Sequence, residues 1–483
     1  MGETHRTKDR PSVPAYIWPL IVAGITAFFF ATTDGRTLFV TVPLAAGLLV
    51  SGGFLWILWR RRRGSVPWFE LGAVYAAVVT LYMAYPLAGF LALGGRYTPW
   101  NDARLAMMEP RADEIGRIGW LYVCHLAAFA GMYLAVRGRL PRQAPTPGRP
   151  RSSLFISVAV VYLSIAAFEL FLGLFYQTSA DTYLGTYLAA RQLPLLFAQL
   201  SNHLNGIKYV LALMLMAALF TRYPASRSVI AIWLLLVGVT TIVKLGSRTE
   251  LVLLILSATM IYDAVVRPIR PRVVVAVAAI GLSGFVAFGA LRNGINSGAD
   301  RTPLNPFAYA TEFESLFANA LHLAYVRPTV GELPVAFYLA DLAAIVPQQF
   351  APFTKIDRAD WYVNRFFPAY ASVGGGLAFG TISESVLMGG WLSALAAGAA
   401  LGFCFAKIHR LYVRHSDRFW VFVLYVWVTT LSYQSFRNST FYLLVLFTYR
   451  FVPAVILVTL VARALRPATD PARRAHRRGA VEA

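Results

Sequence analysis

Long apolar runs broken by short polar connections recur along almost the whole chain. A helix needs roughly 20 apolar residues to cross a hydrocarbon core about 30 Å thick. Stretches close to that length occur at 15–32, 37–59, 68–93, 117–136, 153–176, 205–221, 229–245, 250–266, 273–291, 385–406, 419–435 and 440–462. A bilayer offers no water to free backbone amides, so each stretch is predicted to be an α-helix whose hydrogen bonds close internally. The expectation is an all-α polytopic membrane protein of roughly twelve transmembrane helices. Residues 1–483 would form a single integral membrane domain.

Composition agrees, since 58% of the residues are hydrophobic, too many for a soluble domain of this length. The formal charge of +21 raises the alternative of a nucleic-acid partner. Its distribution argues against that. Basic residues sit in short runs beside the apolar stretches: Arg60 to Arg63, the 137–151 linker, Arg267, Arg270 and Arg272, Lys407 to Arg418, and Arg463 to Arg478. Alternate connections, counted with both termini, hold about 27 of the 44 Lys and Arg, and the other set holds about 17. Acidic residues show the reverse bias. The pattern predicts both termini in the cytoplasm, an uncleaved first span, and no nucleic-acid partner.

Cys124 and Cys404 fall near opposite ends of the predicted topology, so they are read as packing residues, not a disulfide. Gly398 and Gly402 form a GxxxG pair, the spacing at which helices pack closely. The Pro- and Arg-rich linker 137–152 reads as a solvated cytoplasmic connection, and no internal repeat is visible.

The outer connections carry the candidate chemistry. Loop 94–116 holds Asp102, Glu109, Asp113 and Glu114, and loop 177–204 holds Arg191 and His203. The long outer loop 292–383 contains an apolar stretch at 333–346 that includes Asp341. Were that stretch a span, the later basic runs would all face outward. It is therefore predicted to be a re-entrant or interfacial helix, within a loop suited to cover a site.

Arg191, Arg248, Arg292, Arg365 and Arg437 lie on the side where arginine is disfavoured, so they are the candidate residues for binding an anionic ligand. Lys244-Leu-Gly-Ser-Arg248-Thr-Glu250 joins two stretches with almost no loop, placing Arg248 at a helix N-terminus suited to phosphate. Gly374, Gly375 and Gly376 allow close backbone approach to a ligand. Glu384, at the mouth of the 385–406 stretch, is the first candidate base, and Glu250 is the second. The bland alternatives are a helix-capping charge for Glu384, a surface ion pair for Arg248 with Glu250, and snorkelling to headgroups for Arg292 and Arg437. Arg450, inside the last stretch, calls for a partner such as Glu169. The histidines show no metal-site spacing, and no phosphate loop or nucleophile elbow is present. No metal or other cofactor is therefore expected.

Gly246-Ser247-Arg248 opening a helix, Arg292 before the long loop, the Arg365-x10-Gly376 spacing and Ser383-Glu384 before Gly389-Gly390 carry a resemblance. With them the chain resembles the bacterial O-antigen polymerase (Wzy-type) and oligosaccharide repeat-unit polymerase families. The family's second Arg-x10-Gly motif is not matched, because Asn202 follows Arg191 at the glycine position. The resemblance implies a metal-independent glycosyltransferase in the bacterial inner membrane, serving polysaccharide biosynthesis. It would move a growing glycan from a polyprenyl (undecaprenyl) diphosphate carrier to a sugar hydroxyl of the next lipid-linked unit. The arginines, with Arg248 and Arg365 foremost, would stabilise the diphosphate, and Trp361 and Tyr362 would stack on sugars. The implied partners are lipid-linked oligosaccharides, membrane lipids, a chain-length regulator and a flippase. The alternatives are an O-antigen ligase, another polyprenyl-phosphosugar glycosyltransferase, or a lipid-linked oligosaccharide flippase or transporter.

Overall fold

The computed structural model describes residues 35–60, 69–93, 112–138, 147–148, 150–176, 194–222, 248–267, 269, 273, 311–347, 350–352, 354–372 and 376–465. Every regular element among them is helical. Among the described residues, seven helices are long and apolar enough to cross a membrane: Thr37–Arg60, Leu71–Ala92, Ala112–Arg137, Ser152–Leu172, His203–Arg222, Trp391–His415 and Tyr442–Ala464. This is the architecture of a multi-pass membrane protein. The predicted stretches 15–32, 229–245 and, apart from Val273, 273–291 lie outside the described residues. Those at 250–266 and 419–435 come out as shorter apolar helices, Leu253–Val265 and Phe419–Leu431.

The described residues fall into two compact units. In the first, α1 (Gly35–Arg60), α2 (Leu71–Leu93) and α3 (Ala112–Arg137) pack on one another. Aromatic rings fill the space between them, with Tyr75 against Phe129 and Phe54 against Tyr133. Below these rings Glu70 is buried and accepts from Tyr133 Oη at 3.0 Å and from Arg137 Nη2 at 2.9 Å, with a second bond from Arg137 Nε. Arg137 was expected in the solvated linker. It is instead drawn inside, because a buried carboxylate needs a paired cation.

The same unit contains α7 (Thr311–Val330), which the apolar pattern did not reveal. Its sequence carries two glutamates, an asparagine, a histidine and an arginine, which lower its hydropathy. Leu316, Phe317, Ala318, Asn319, Ala320 and Leu321 are nonetheless buried in succession. A helix buried on all sides by protein can place polar groups against partners, which lipid contact would forbid. It packs on α2, α3 and a short helix, α12 (Thr381–Met388).

The predicted 385–406 stretch is broken. Gly390 takes φ +57, which a glycine tolerates without strain, and separates α12 from α13 (Trp391–His415). Glu384 therefore sits in a separate buried helix and not at the mouth of a span. On α13 the GxxxG pair works as its spacing suggests. A side chain at Gly398 would run into the backbone carbonyl of His125, and one at Gly402 into that of Phe129.

In the second unit, α4 (Ser152–Tyr176) packs on α5 (Leu195–Arg222), which packs on α6 (Arg248–Val265). On α4, Ile156, Val160, Leu163, Leu170 and Phe171 are exposed along one stripe, a face that hydrocarbon would cover. The last helix, Tyr442–Ala464, contains a π-helical turn at Phe447–Phe451. Arg450 lies on that turn against Gly206, where even a Cβ would collide with its side chain. Glu169, the partner expected for it, instead binds Lys208 Nζ at 2.6 Å.

Candidate functional site

Much of the predicted long loop is ordered into helices. They are α8 (Val335–Tyr338), α9 (Ala340–Ile345), α10 (Arg358–Phe366) and α11 (Pro368–Ser372). Asp357 starts α10 because its side chain accepts from the free N–H groups of Ala359 and Asp360. Phe337, Tyr362, Val363, Phe379 and Leu387 form the apolar core beneath these elements. Val335, Tyr338, Leu339 and Leu342 stay exposed, so α8 and α9 present an apolar face outward.

Arg358 is the centre of the arrangement and is only 6% exposed. Its Nη1 donates to Glu384 Oε1 and stands 3.2 Å from Asp341 Oδ2. Its Nε and Nη2 donate to the carbonyls of Phe337 and Tyr338 at 3.0 and 3.2 Å. Glu384 also accepts from Thr440 through its other oxygen. Asp341 accepts from Ser439 Oγ at 2.6 Å and from the Phe441 N–H at 3.1 Å. Two carboxylates thus share one guanidinium, and the backbone N–H groups of Thr440 and Phe441 offset part of the remaining charge. Burial, reinforced by the charge of Asp341, pushes the Glu384 carboxyl up to about 7, against the opposing pull of Arg358 and Thr440.

The segment ahead of α12 is fixed from both sides. Asn319 donates to the Ala378 carbonyl at 2.5 Å, the Gly380 N–H donates to Asn438 at 3.0 Å, and Thr381 Oγ1 donates to Ser435 at 2.7 Å. Gly380 takes φ +86 and packs against Leu316, close to the carbonyls of Phe436 and Arg437. These bonds hold Glu384 where Arg358 can reach it.

Beside this cluster opens a pocket of about 820 Å³, lined by Arg117, Arg327, Glu332 and Tyr338 with Ala324, Pro328, Gly331 and Leu333. Arg117 comes from the second turn of α3, whose first turn carries Asp113 and Glu114. Those acids were expected in a loop, but they suit the free N–H groups of a helix start. Arg327 and Arg365 both serve the C-terminal end of α7, donating to the carbonyls of Gly331 at 3.1 Å and Val330 at 3.4 Å. Tyr338 joins pocket to cluster, since its carbonyl accepts from Arg358.

The predicted site residues are therefore distributed unevenly. Glu384 is in the buried cluster, and its cation is Arg358, which was not among the five arginines singled out. Arg365 is exposed, its guanidinium over the rings of Trp361 and Phe366 at 5.7 and 5.8 Å. Tyr362 is buried, its hydroxyl 2.9 Å from His322 Nδ1, so it is not free to stack on a sugar. Arg437 ends a short helix, Gln434–Arg437, and is half-buried. Gly376 is exposed, with open space where a side chain would stand. Arg248 and Glu250 belong to α6, but their side chains and the residues that precede Arg248 lie outside the described part. Arg191, Arg292, Gly374 and Gly375 lie outside the described residues.

Arg358 escaped the sequence reading because Asp357-Arg-Ala-Asp360 looks like a solvated turn. The signal that points to it is Asp341, a lone acid in an apolar stretch that needs a cation when buried. In sequence Asn438-Ser439-Thr440 is merely a short polar turn between apolar stretches, whereas in the fold Ser439 and Thr440 are the hydroxyl donors to the two acids. No family model matches this chain, and no match was found among curated proteins or solved structures.

Proposed function

We propose that this protein is a metal-independent glycan polymerase acting on polyprenyl-diphosphate-linked oligosaccharides. The observation that carries the reading is the juxtaposition of a polar, water-open pocket with the exposed apolar face of α8 and α9. A lipid-linked sugar needs both surroundings, an aqueous place for the glycan and an apolar one for the carrier. In this proposal the chain crosses a bacterial inner membrane about twelve times with both termini in the cytoplasm. Arg191, Arg248, Arg292, Arg365 and Arg437 hold diphosphate on the outer side. Glu384 has both oxygens occupied by donors, so it positions the loop through Arg358, and Glu250 is the proposed base.

The test uses purified protein in nanodiscs with a synthetic polyprenyl-diphosphate repeat unit. A ladder of longer lipid-linked glycans that survives EDTA and is lost in Arg365→Ala is the expected result. A single transfer to a non-carrier acceptor would favour a ligase, and unchanged glycan would overturn the transferase reading. Arg450, on a π-helical turn inside a candidate span, favours a flippase as the second reading. Passage of a labelled lipid-linked oligosaccharide across proteoliposomes, without elongation, would establish that activity.

A further inference from the structure

We infer that the pocket at the end of α7 is a recognition subsite for an acidic glycan. In it Arg117 and Arg327 bind a carboxylate on a sugar ring, and Glu332 accepts from ring hydroxyls. The proposal deepens the transferase reading by naming a substrate class, and it rests on that reading for the presence of a glycan.

Its first support is the lining. Arginines from two separate helices, α3 and α7, line one cavity. Each carries five N–H donors, and Arg327 commits one of them to the Gly331 carbonyl. Two cations and one carboxylate line the cavity, and the net positive charge left over favours an anion that can take charge-assisted hydrogen bonds. The volume, about 820 Å³, falls among those of small-molecule sites and is larger than a lone inorganic anion requires.

The second support is Glu332. A diphosphate offers mainly acceptors, so a carboxylate in the same pocket repels it. A sugar acid offers a carboxylate to the arginines and hydroxyl donors to Glu332 together. Tyr338, exposed at the rim, adds an aromatic ring suited to the apolar face of a sugar. The mixture of donors, one acceptor and one ring therefore fits a polyhydroxylated anion better than a bare phosphate group.

The test is equilibrium binding to the full-length protein in nanodiscs, with trigalacturonic acid, its neutral methyl ester and inorganic pyrophosphate as probes. The acid is expected to bind at least about tenfold more tightly than the ester, and more weakly as salt rises. Arg117→Gln and Arg327→Gln should each lose about tenfold in affinity for the acid. Glu332→Gln should weaken the acid while strengthening pyrophosphate. Only variants with the parental melting midpoint are compared, and Arg→Lys replaces any that fail. Equal binding of acid and ester, or unchanged affinity in both glutamine variants, would overturn the proposal. So would pyrophosphate binding more tightly than the acid and being lost in the same variants, which would make this a phosphate site. Uronate binding as stated, with no glycan ladder from a carrier-linked substrate, would retain the pocket and discard the transferase reading.

Discussion

Thr440 meets Glu384 twice, its hydroxyl donating to Oε2 at 2.7 Å and its backbone N–H donating to the same oxygen at 3.2 Å. The contact joins positions 56 residues apart. Thr440→Val removes the hydroxyl and keeps the shape. It should cost about 1–3 kcal/mol, because a buried carboxylate loses a donor. Thr440→Ser should stay near the parent. Melting midpoints in detergent check this, and a valine variant as stable as the parent would refute it.

Arg358 balances only one of the two carboxylates it touches, so substitutions around it should be unequal. Arg358→Met leaves two buried acids without their cation and should cost about 3–5 kcal/mol. Glu384→Gln leaves a one-to-one pair of Arg358 with Asp341 but sets an amide NH2 against one of the former donors, and it should cost about 1–3 kcal/mol, less than the loss of Arg358. The comparison is again of thermal midpoints at neutral pH. Equal losses in the two variants would show that the excess acid is not the controlling feature.

The same imbalance fixes the direction of a pH effect. The Glu384 carboxyl is raised from an ordinary 4.5 to about 7, so the folded chain holds this proton where the unfolded chain releases it. Its contribution is present below the unfolded value and is lost as pH rises through the folded one. Between pH 4.5 and 7 the stability of the parent should fall relative to that of Glu384→Gln, which lacks the titration. Parallel stability profiles for the two proteins across that window would contradict the assignment.

Close helix packing on α13 gives a sharper steric case. The nearest atoms to a side chain at Gly398 or Gly402 belong to the backbone of α3, which cannot rotate away. Gly398→Ala and Gly402→Ala should each destabilise by about 1–3 kcal/mol. Gly131→Ala, with open space around it, should not. Differential scanning fluorimetry of the three variants decides the matter.

Long apolar helices were legible because lipid-facing segments must be apolar over their whole length. α4 and α13 therefore stand out on composition alone. α7 did not, since burial by protein permits Glu314, Asn319 and His322 inside a helix that hydropathy rates as ordinary. At the site, Glu384 was visible as an acid beside an apolar run, but its surroundings were not. Arg358, Ser439 and Thr440 approach it only after the chain has travelled out and back, and nothing local marks them. Arg117 and Arg327 lie 210 positions apart in the chain and become neighbours of one pocket only through the packing of α3 with α7.

The ties from Asp341 and Glu384 to Ser439, Thr440 and Phe441 have a consequence for biosynthesis. A nascent chain that has emerged only as far as α13 already contains both acids and Arg358, yet it lacks every hydroxyl and N–H that holds the acids from the far side. The cluster is completed only when residues near 441 arrive, late in synthesis. Until then two carboxylates lack half of their donors, a state that quality-control proteases can recognise. Chains ending before that point should be degraded, while chains ending after the last helix should accumulate.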